Sequence, residues 1–69
     1  MEIGTLVRMG HEIARNNAAL PHAQAVARVA GHLKSFWTVA MITQLQQYAD
    51  SEPTRLDPLL LEALRTLTV

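Results

Sequence analysis

Apolar residues recur every three to four positions along the chain, which is the spacing of one face of an α-helix. In segment 2–17, the apolar and small residues of this face fall within an arc of roughly 120° on a helical wheel. They are Ile3, Leu6, Val7, Gly10, Ile13 and Ala14. Gly10 lies in the middle of the stripe, and glycine costs a helix about 1 kcal/mol relative to alanine. We therefore predict a close helix crossing at Gly10, the alternative being a glycine that the helix merely tolerates.

Boundary signals mark three further helices. Pro21 suits the first turn of a second helix, and Thr38 can cap the start of a third. Segment 50–54 is rich in turn formers and predicts a loop. Asp57 and Pro58 then supply an N-cap and a first-turn proline for a fourth helix. The predicted helices span about 2–17, 21–37, 39–50 and 58–67.

These elements predict an all-α protein, a small bundle of about four short helices in a single domain, 1–69. The third helix carries glutamines that we expect to be solvated: Gln44, Gln46 and Gln47. The fourth helix has an unusually wide apolar arc of about 200°, where a surface helix shows somewhat over 100°. Either this helix is central to the bundle, or part of its arc meets another chain.

The second helix ends in two aromatic residues, Phe36 and Trp37. A step of about 100° separates them on the helical wheel, so that Phe36 can point inward while Trp37 leans to the rim. Tryptophan is enriched at binding hot spots, and its indole N–H finds a partner more easily at a rim than in a dry core. We therefore predict that Trp37 is an interface anchor more than a core residue.

Length, composition and charge narrow the function classes. Ordering 69 residues costs about 1.5 kcal/mol per residue, so a core of this size leaves little surplus stability. Cysteine is absent, which excludes disulfides and thiolate metal sites. The formal net charge of zero argues against binding to nucleic acid or to an anionic membrane. The sequence shows no targeting segment and no long apolar run, and we expect a cytoplasmic protein.

No residue constellation indicates catalysis. The histidines His11, His22 and His32 have no metal-ligand spacing on a shared helix face. Carboxylates are scattered, no Gly-rich phosphate loop is present, and neither serine has the surroundings of a nucleophile. We therefore expect no independent enzyme, and no catalytic, cofactor-binding or metal-binding residue in this chain. Arg8 and Arg15 share a helix face with His11, either as an ordinary solvated face or as an ion-pairing rim around a partner-binding surface.

Three segments resemble a known family. They are LVRMGHEI at 6–13, GHLKSFW at 31–37 and LDPLLLEAL at 56–64. They are similar to the "LVRMANQI", "NHLRRFW" and "L-[SD]-P-L-x-x-E-A-L" segments of the small delta subunits of bacterial NAD-dependent formate dehydrogenases. Met41 stands where the family has the Met of "FWDPRM", whereas TVA at 38–40 replaces its Asp-Pro-Arg.

The resemblance implies a non-catalytic accessory subunit that binds the large catalytic subunit and supports assembly or stability of the complex. It also implies that a molybdenum or tungsten pyranopterin, iron–sulfur clusters and FMN are held by the partner subunits, and none of them by this chain. The alternative is a free-standing helical interaction module or homodimeric adaptor. A DNA-binding regulator is a third reading, disfavoured by the neutral charge and the Arg-poor third helix. The residues predicted to lie at a protein interface are Arg8, His11, Arg15, His32, Phe36, Trp37, Met41, Leu60, Leu61 and Leu64.

Overall fold

A computed structural model of the chain describes residues 1–68. Within them the protein consists of four α-helices and one short 3₁₀ turn, with no strand, which confirms the predicted all-α bundle. The helices are α1 (Ile3–Asn16), α2 (His22–Phe36), α3 (Val39–Ser51) and α4 (Pro58–Thr66), and the 3₁₀ turn Pro53–Arg55 precedes α4. Each helix begins and ends within one or two residues of its predicted boundaries.

Two helix starts are fixed by the side chains that the sequence indicated. The Thr38 hydroxyl oxygen accepts a hydrogen bond of 3.2 Å from the backbone N–H of Met41. The Asp57 carboxylate accepts from the backbone N–H groups of Leu59, at 2.8 Å, and Leu60, at 3.4 Å. Both caps satisfy N–H groups that have no partner inside the helix, and both predictions are confirmed.

The connection between α3 and α4 is more ordered than predicted. Segment 50–54 was expected to be a loop, but α3 runs on through Ser51, and the backbone then turns through Pro53–Arg55. Pro53 is the first residue of a 3₁₀ turn. It favours this position because the proline ring fixes the backbone angle φ near the value that the turn requires.

Helix α4 is the central element of the bundle. It packs most extensively against α2 and also touches α1 and α3. Leu60, Ala63 and Leu64 are buried on it, while Leu59 and Leu61 are half-buried. The wide apolar arc of this helix is therefore covered mainly by the other three helices, which resolves the alternative that the sequence left open.

Gly10 lies at a close approach between helices. A Cβ atom built on Gly10 would lie 2.8 Å from Cδ2 of Leu60 and 3.4 Å from Cδ2 of Leu45. Contacts below 3.0 Å are essentially never seen for a real Cβ. The glycine thus lets α1 lie directly on the leucines of α4 and α3, and the predicted helix crossing is confirmed.

Glutamine side chains of α3 tie the ends of the chain to the bundle. Gln44 Nε2 donates to the backbone oxygen of Met1 at 2.9 Å. Gln46 Nε2 donates to the backbone oxygens of Leu64 and Leu67, each at 3.0 Å, and so satisfies carbonyl groups at the end of α4. The prediction of solvated glutamines holds for Gln47, which is exposed. It was wrong for Gln44 and Gln46, because each donates to backbone oxygens of another segment of the chain.

Candidate protein interface

The two aromatic residues at the end of α2 show the reverse of the predicted burial. Trp37 is only 7% exposed and belongs to the hydrophobic core, whereas Phe36 is 75% exposed. Helix α2 ends at Phe36, and Trp37 has extended backbone angles of φ −98° and ψ 150°. The step of 100° per residue therefore does not apply to Trp37, and the turn of the chain carries its side chain inward.

Two leucines predicted to meet a partner are core residues. Leu60 is fully buried and Leu64 is 1% exposed, both against the other helices of this chain. Neither offers surface to another protein in this fold, so their assignment to an interface was wrong. Leu61, on the same helix, is half-buried and keeps part of its side chain at the surface.

Two of the three predicted interface residues on α1 make contacts within the chain. Arg8 pairs with Glu12 one helical turn further on, at 3.3 Å between exposed side chains. Such a pair contributes little to stability, typically a few tenths of a kcal/mol. His11 is half-buried, and its Nε2 accepts a 3.1 Å hydrogen bond from the backbone N–H of Asp57. His11 thereby holds α1 against the start of α4, and Arg15 stays exposed near the end of α1.

An apolar surface lies instead where α2 passes into α3. Phe36, at the end of α2, and Val39, at the start of α3, are 75% and 63% exposed. Among the described residues the only other large apolar side chain as open to solvent is Met1. Phe36 and Val39 are three residues apart in the chain, so their Cα atoms lie within about 11 Å of each other.

Histidine 32 extends this surface along α2. Its ring lies one helical turn before Phe36, with the ring centroids 4.8 Å apart and the planes inclined by 40°. Both residues were predicted interface residues, and both are exposed. We call His32, Phe36 and Val39 the α2–α3 corner. Met41, a further predicted interface residue, is half-buried in the first turn of α3.

Val39 was missed by sequence reasoning. It is the first residue of α3, and the helical wheel of α3 alone gave no reason to single it out. The signal that could have found it is position: a large apolar residue directly after an N-cap has no preceding helical turn to cover it.

A contact between α2 and α4 also escaped the sequence. His22, at the start of α2, lies within ion-pairing distance of Glu62 on α4, with both side chains at least half exposed. Forty residues separate them in the chain, and no helix-face argument joins two different helices. The pair adds a polar link at the edge of the α2–α4 packing.

The remaining surface has shallow depressions and no enclosed polar site among the described residues. One open depression of about 200 Å³ lies between the ends of α3 and α4. It is lined by Gln46, Ala49, Asp50, Leu64, Arg65 and Leu67. Within residues 1–68, no group of three or more His, Asp or Glu side chains could hold a metal ion. None of the described helices is both long and apolar enough to cross a lipid bilayer.

The fold defines a small helical protein. Among the described residues its exposed large apolar side chains, apart from Met1, are Phe36 and Val39, where α2 passes into α3. The family model of the NADH-dependent formate dehydrogenase delta subunit, FdsD, matches residues 5–64. The chain belongs to this family, in agreement with the resemblance found in the sequence. Comparison with curated proteins and with solved structures gives no match.

Proposed function

We propose that this chain is a non-catalytic accessory subunit of a cytoplasmic NAD-dependent formate dehydrogenase, in which it binds the large catalytic subunit and supports assembly or stability of the complex. The observation that carries the proposal is the match of residues 5–64 to a family of delta subunits. A delta subunit is by its description one component of a larger enzyme.

The surface of the chain supports a binding role. A monomeric protein gains nothing from exposing Phe36 and Val39 at the junction of α2 and α3, since burying such side chains is favourable by about 25 cal/mol per Å². Contiguous exposed apolar surface marks protein interaction sites. Covering the α2–α3 corner with a partner would also add stability to a small chain, because binding to the folded state alone stabilises it.

The chemistry is assigned to the other subunits. In the proposal these hold the molybdenum or tungsten pyranopterin, the iron–sulfur clusters and the FMN, and this chain holds none of them. The role of the chain is to raise the fraction of large subunit that reaches or keeps its folded, loaded state. Its effect is then on the amount of active enzyme and not on the rate of the chemical step.

Deletion and complementation test the proposal. Formate dehydrogenase is purified from cells lacking this chain and from cells in which it is restored. We expect a lower yield of active enzyme without the chain, with turnover per molybdenum- or tungsten-loaded enzyme close to that of the complete complex. Equal yields in both strains would contradict the accessory role. A thousandfold slower turnover of fully loaded enzyme would show instead a direct part in catalysis.

A further inference from the structure

We infer that His11 and His22 make two opposed, pH-sensitive contacts with the central helix α4, so that acid loosens its contact with α1 and strengthens its contact with α2. His11 lies on α1, and His22 is the first residue of α2. Both contacts lie within this chain, so the inference goes beyond the proposed function and does not depend on it.

The contact of His11 exists only while its Nε2 atom carries no proton. This atom accepts a 3.1 Å hydrogen bond from the backbone N–H of Asp57, the residue that caps α4. The single ring proton of the neutral imidazole therefore lies on Nδ1. A second proton, on Nε2, removes the acceptor and sets two N–H groups against each other. Acid thus breaks this link between α1 and the start of α4.

The charged groups on α1 give a protonated His11 no partner. Arg8 lies three residues before it and is paired with Glu12. Arg15 lies four residues after it, on the same side of the helix, and is exposed. None of the ion pairs among the described residues includes His11. The cations of α1 therefore oppose a further positive charge at this position.

The groups at the start of α4 do not compensate. The carboxylate of Asp57 is engaged with the first N–H groups of α4, which it caps. Arg55, two residues earlier in the chain, is paired with Glu52. On the α2 side, His22 shares a shallow depression with Asp57 and is itself cationic in acid. The N-terminal end of a helix carries partial positive charge, which also disfavours a cation there.

The contact of His22 has the opposite requirement. Its Nε2 lies within ion-pairing distance of Glu62, and the two side chains carry opposite charges only when the imidazole is protonated. Asp57 and Arg65 line depressions next to His22, and their opposite charges offset each other. The next charged residue on α2 is Arg28, six positions further along the helix. Acid therefore strengthens the link between α2 and α4.

Both changes occur in the same pH range and act on the same part of α4. An imidazole in water gains its second proton near about pH 6.5, which makes histidine a switch at physiological pH. Glu62 follows Asp57 by five positions, so the two contacts hold the first half of α4. A fall from about pH 8 to about pH 5.5 exchanges one attachment of this helix for another.

The test compares urea unfolding of the full chain and of single variants at about pH 8 and about pH 5.5. His22→Asn removes the ion pair, so acid should act through His11 and lower the ratio of folded to unfolded chain by roughly two- to tenfold. His11→Asn removes the other titrating ring, so acid should raise this ratio by up to about fivefold through His22. Each change is measured relative to His32→Asn, since His32 takes part in neither contact.

Salt and a local probe distinguish the two contacts. Salt at about 1 M screens an exposed ion pair, so it should abolish the acid gain of His11→Asn and leave the acid loss of His22→Asn in place. The NMR resonance of the Asp57 backbone amide should shift between about pH 8 and about pH 5.5 in the wild type, because its acceptor is lost. It should shift much less in His11→Asn.

Opposite acid responses of the two variants would support the inference. If both respond to acid as His32→Asn does, neither contact is sensitive to pH and the inference is wrong. If acid stabilises His22→Asn, protonated His11 has found a new partner, and the inference is equally wrong. His22 is exposed, so His22→Asn should fold even where His11→Asn does not, and its acid response alone can overturn the inference.

Discussion

At the residue scale, the packing of this protein depends on one very small and one very large side chain. Gly10 allows Leu60 to approach the α1 backbone, and Trp37 fills the core beside the turn between α2 and α3. Protein interiors are packed about as densely as organic crystals, so a change of side-chain volume at either position alters the stability of the fold.

Replacing Gly10 by alanine should destabilise the chain. The new methyl group gains about 1 kcal/mol in helix propensity. It also meets a fully buried Leu60 at 2.8 Å, and overpacking of this kind typically costs about 1–3 kcal/mol. We expect a net loss of about 1 kcal/mol in the free energy of unfolding by urea. Gly31→Ala is the matched control, since its methyl group enters open space, and it should stabilise the isolated chain. A stabilised Gly10→Ala variant would contradict the close crossing.

The two aromatic residues at the end of α2 should separate into one that the fold needs and one that it does not. Trp37→Ala should cost about 3–5 kcal/mol, the usual loss for a buried aromatic side chain, which is enough to unfold much of a chain this small. Phe36→Ala should change the stability of the isolated chain by less than about 0.5 kcal/mol. Thermal unfolding followed by circular dichroism measures both. Similar losses for the two variants would show that the exposure of Phe36 is not maintained in solution.

At the element scale, the helices are stabilised by contacts at their ends and by packing on the central helix α4. Helix α4 has only nine residues, and isolated helices of that length are marginal in water. Its start is held by the Asp57 cap and by His11, and its end by Gln46. The central helix is thus stabilised by its neighbours more than by its own propensity.

Removing the α4 cap tests this dependence. Asp57→Ala deletes the acceptor for the N–H groups of Leu59 and Leu60, and should cost about 0.5–2 kcal/mol. Asp57→Asn keeps an oxygen in the same place and should cost much less. Denaturation with urea measures both variants, and an Asp57→Ala variant as stable as the wild type would mean that the start of α4 is held by other contacts.

Local signals predicted most of the helix limits, because caps and prolines act within a few residues. Thr38 and Asp57 were found in this way, and Gly10 was found because it interrupts an apolar stripe. These features need no knowledge of how the helices are arranged.

The candidate interface was predicted less well, because it depends on where a helix ends and on which helices meet. Phe36 and His32 were named and are exposed, but Trp37 was misplaced by extending the helix one residue too far. The burial of Leu60 and Leu64 could not be read from α4 alone, since a wide apolar arc fits either a central helix or an interface. Val39 was missed because its exposure arises at the junction of two helices.

At the scale of the whole molecule, a chain of 69 residues without cysteine forms its core from apolar side chains alone. The largest fully buried side chains are Leu6, Val29, Leu33, Ile42, Leu45, Leu60 and Leu64. A core of this size offsets the ordering cost of the chain with little to spare. The exposed corner is the place where a partner would add to that stability.

We expect the isolated chain to be helical and only marginally stable as a monomer. Circular dichroism at low protein concentration should show a cooperative transition well below 80 °C. The transition should move upward when the chain is bound in a complex, because a ligand of the folded state shifts unfolding by mass action. A monomer that melts well above 80 °C would show a stability that this core does not explain.

The most direct test of the central claim is native mass spectrometry of formate dehydrogenase purified through a tag on its large subunit from cells that produce this chain. The measurement gives the mass of the intact assembly and, after controlled dissociation, the subunits that leave it. We predict a species that contains this chain together with the large subunit, and the loss of that species in the Phe36→Ala variant while the remaining enzyme stays assembled. A fully assembled enzyme that contains no copy of this chain at any stage of purification or assembly would contradict the claim.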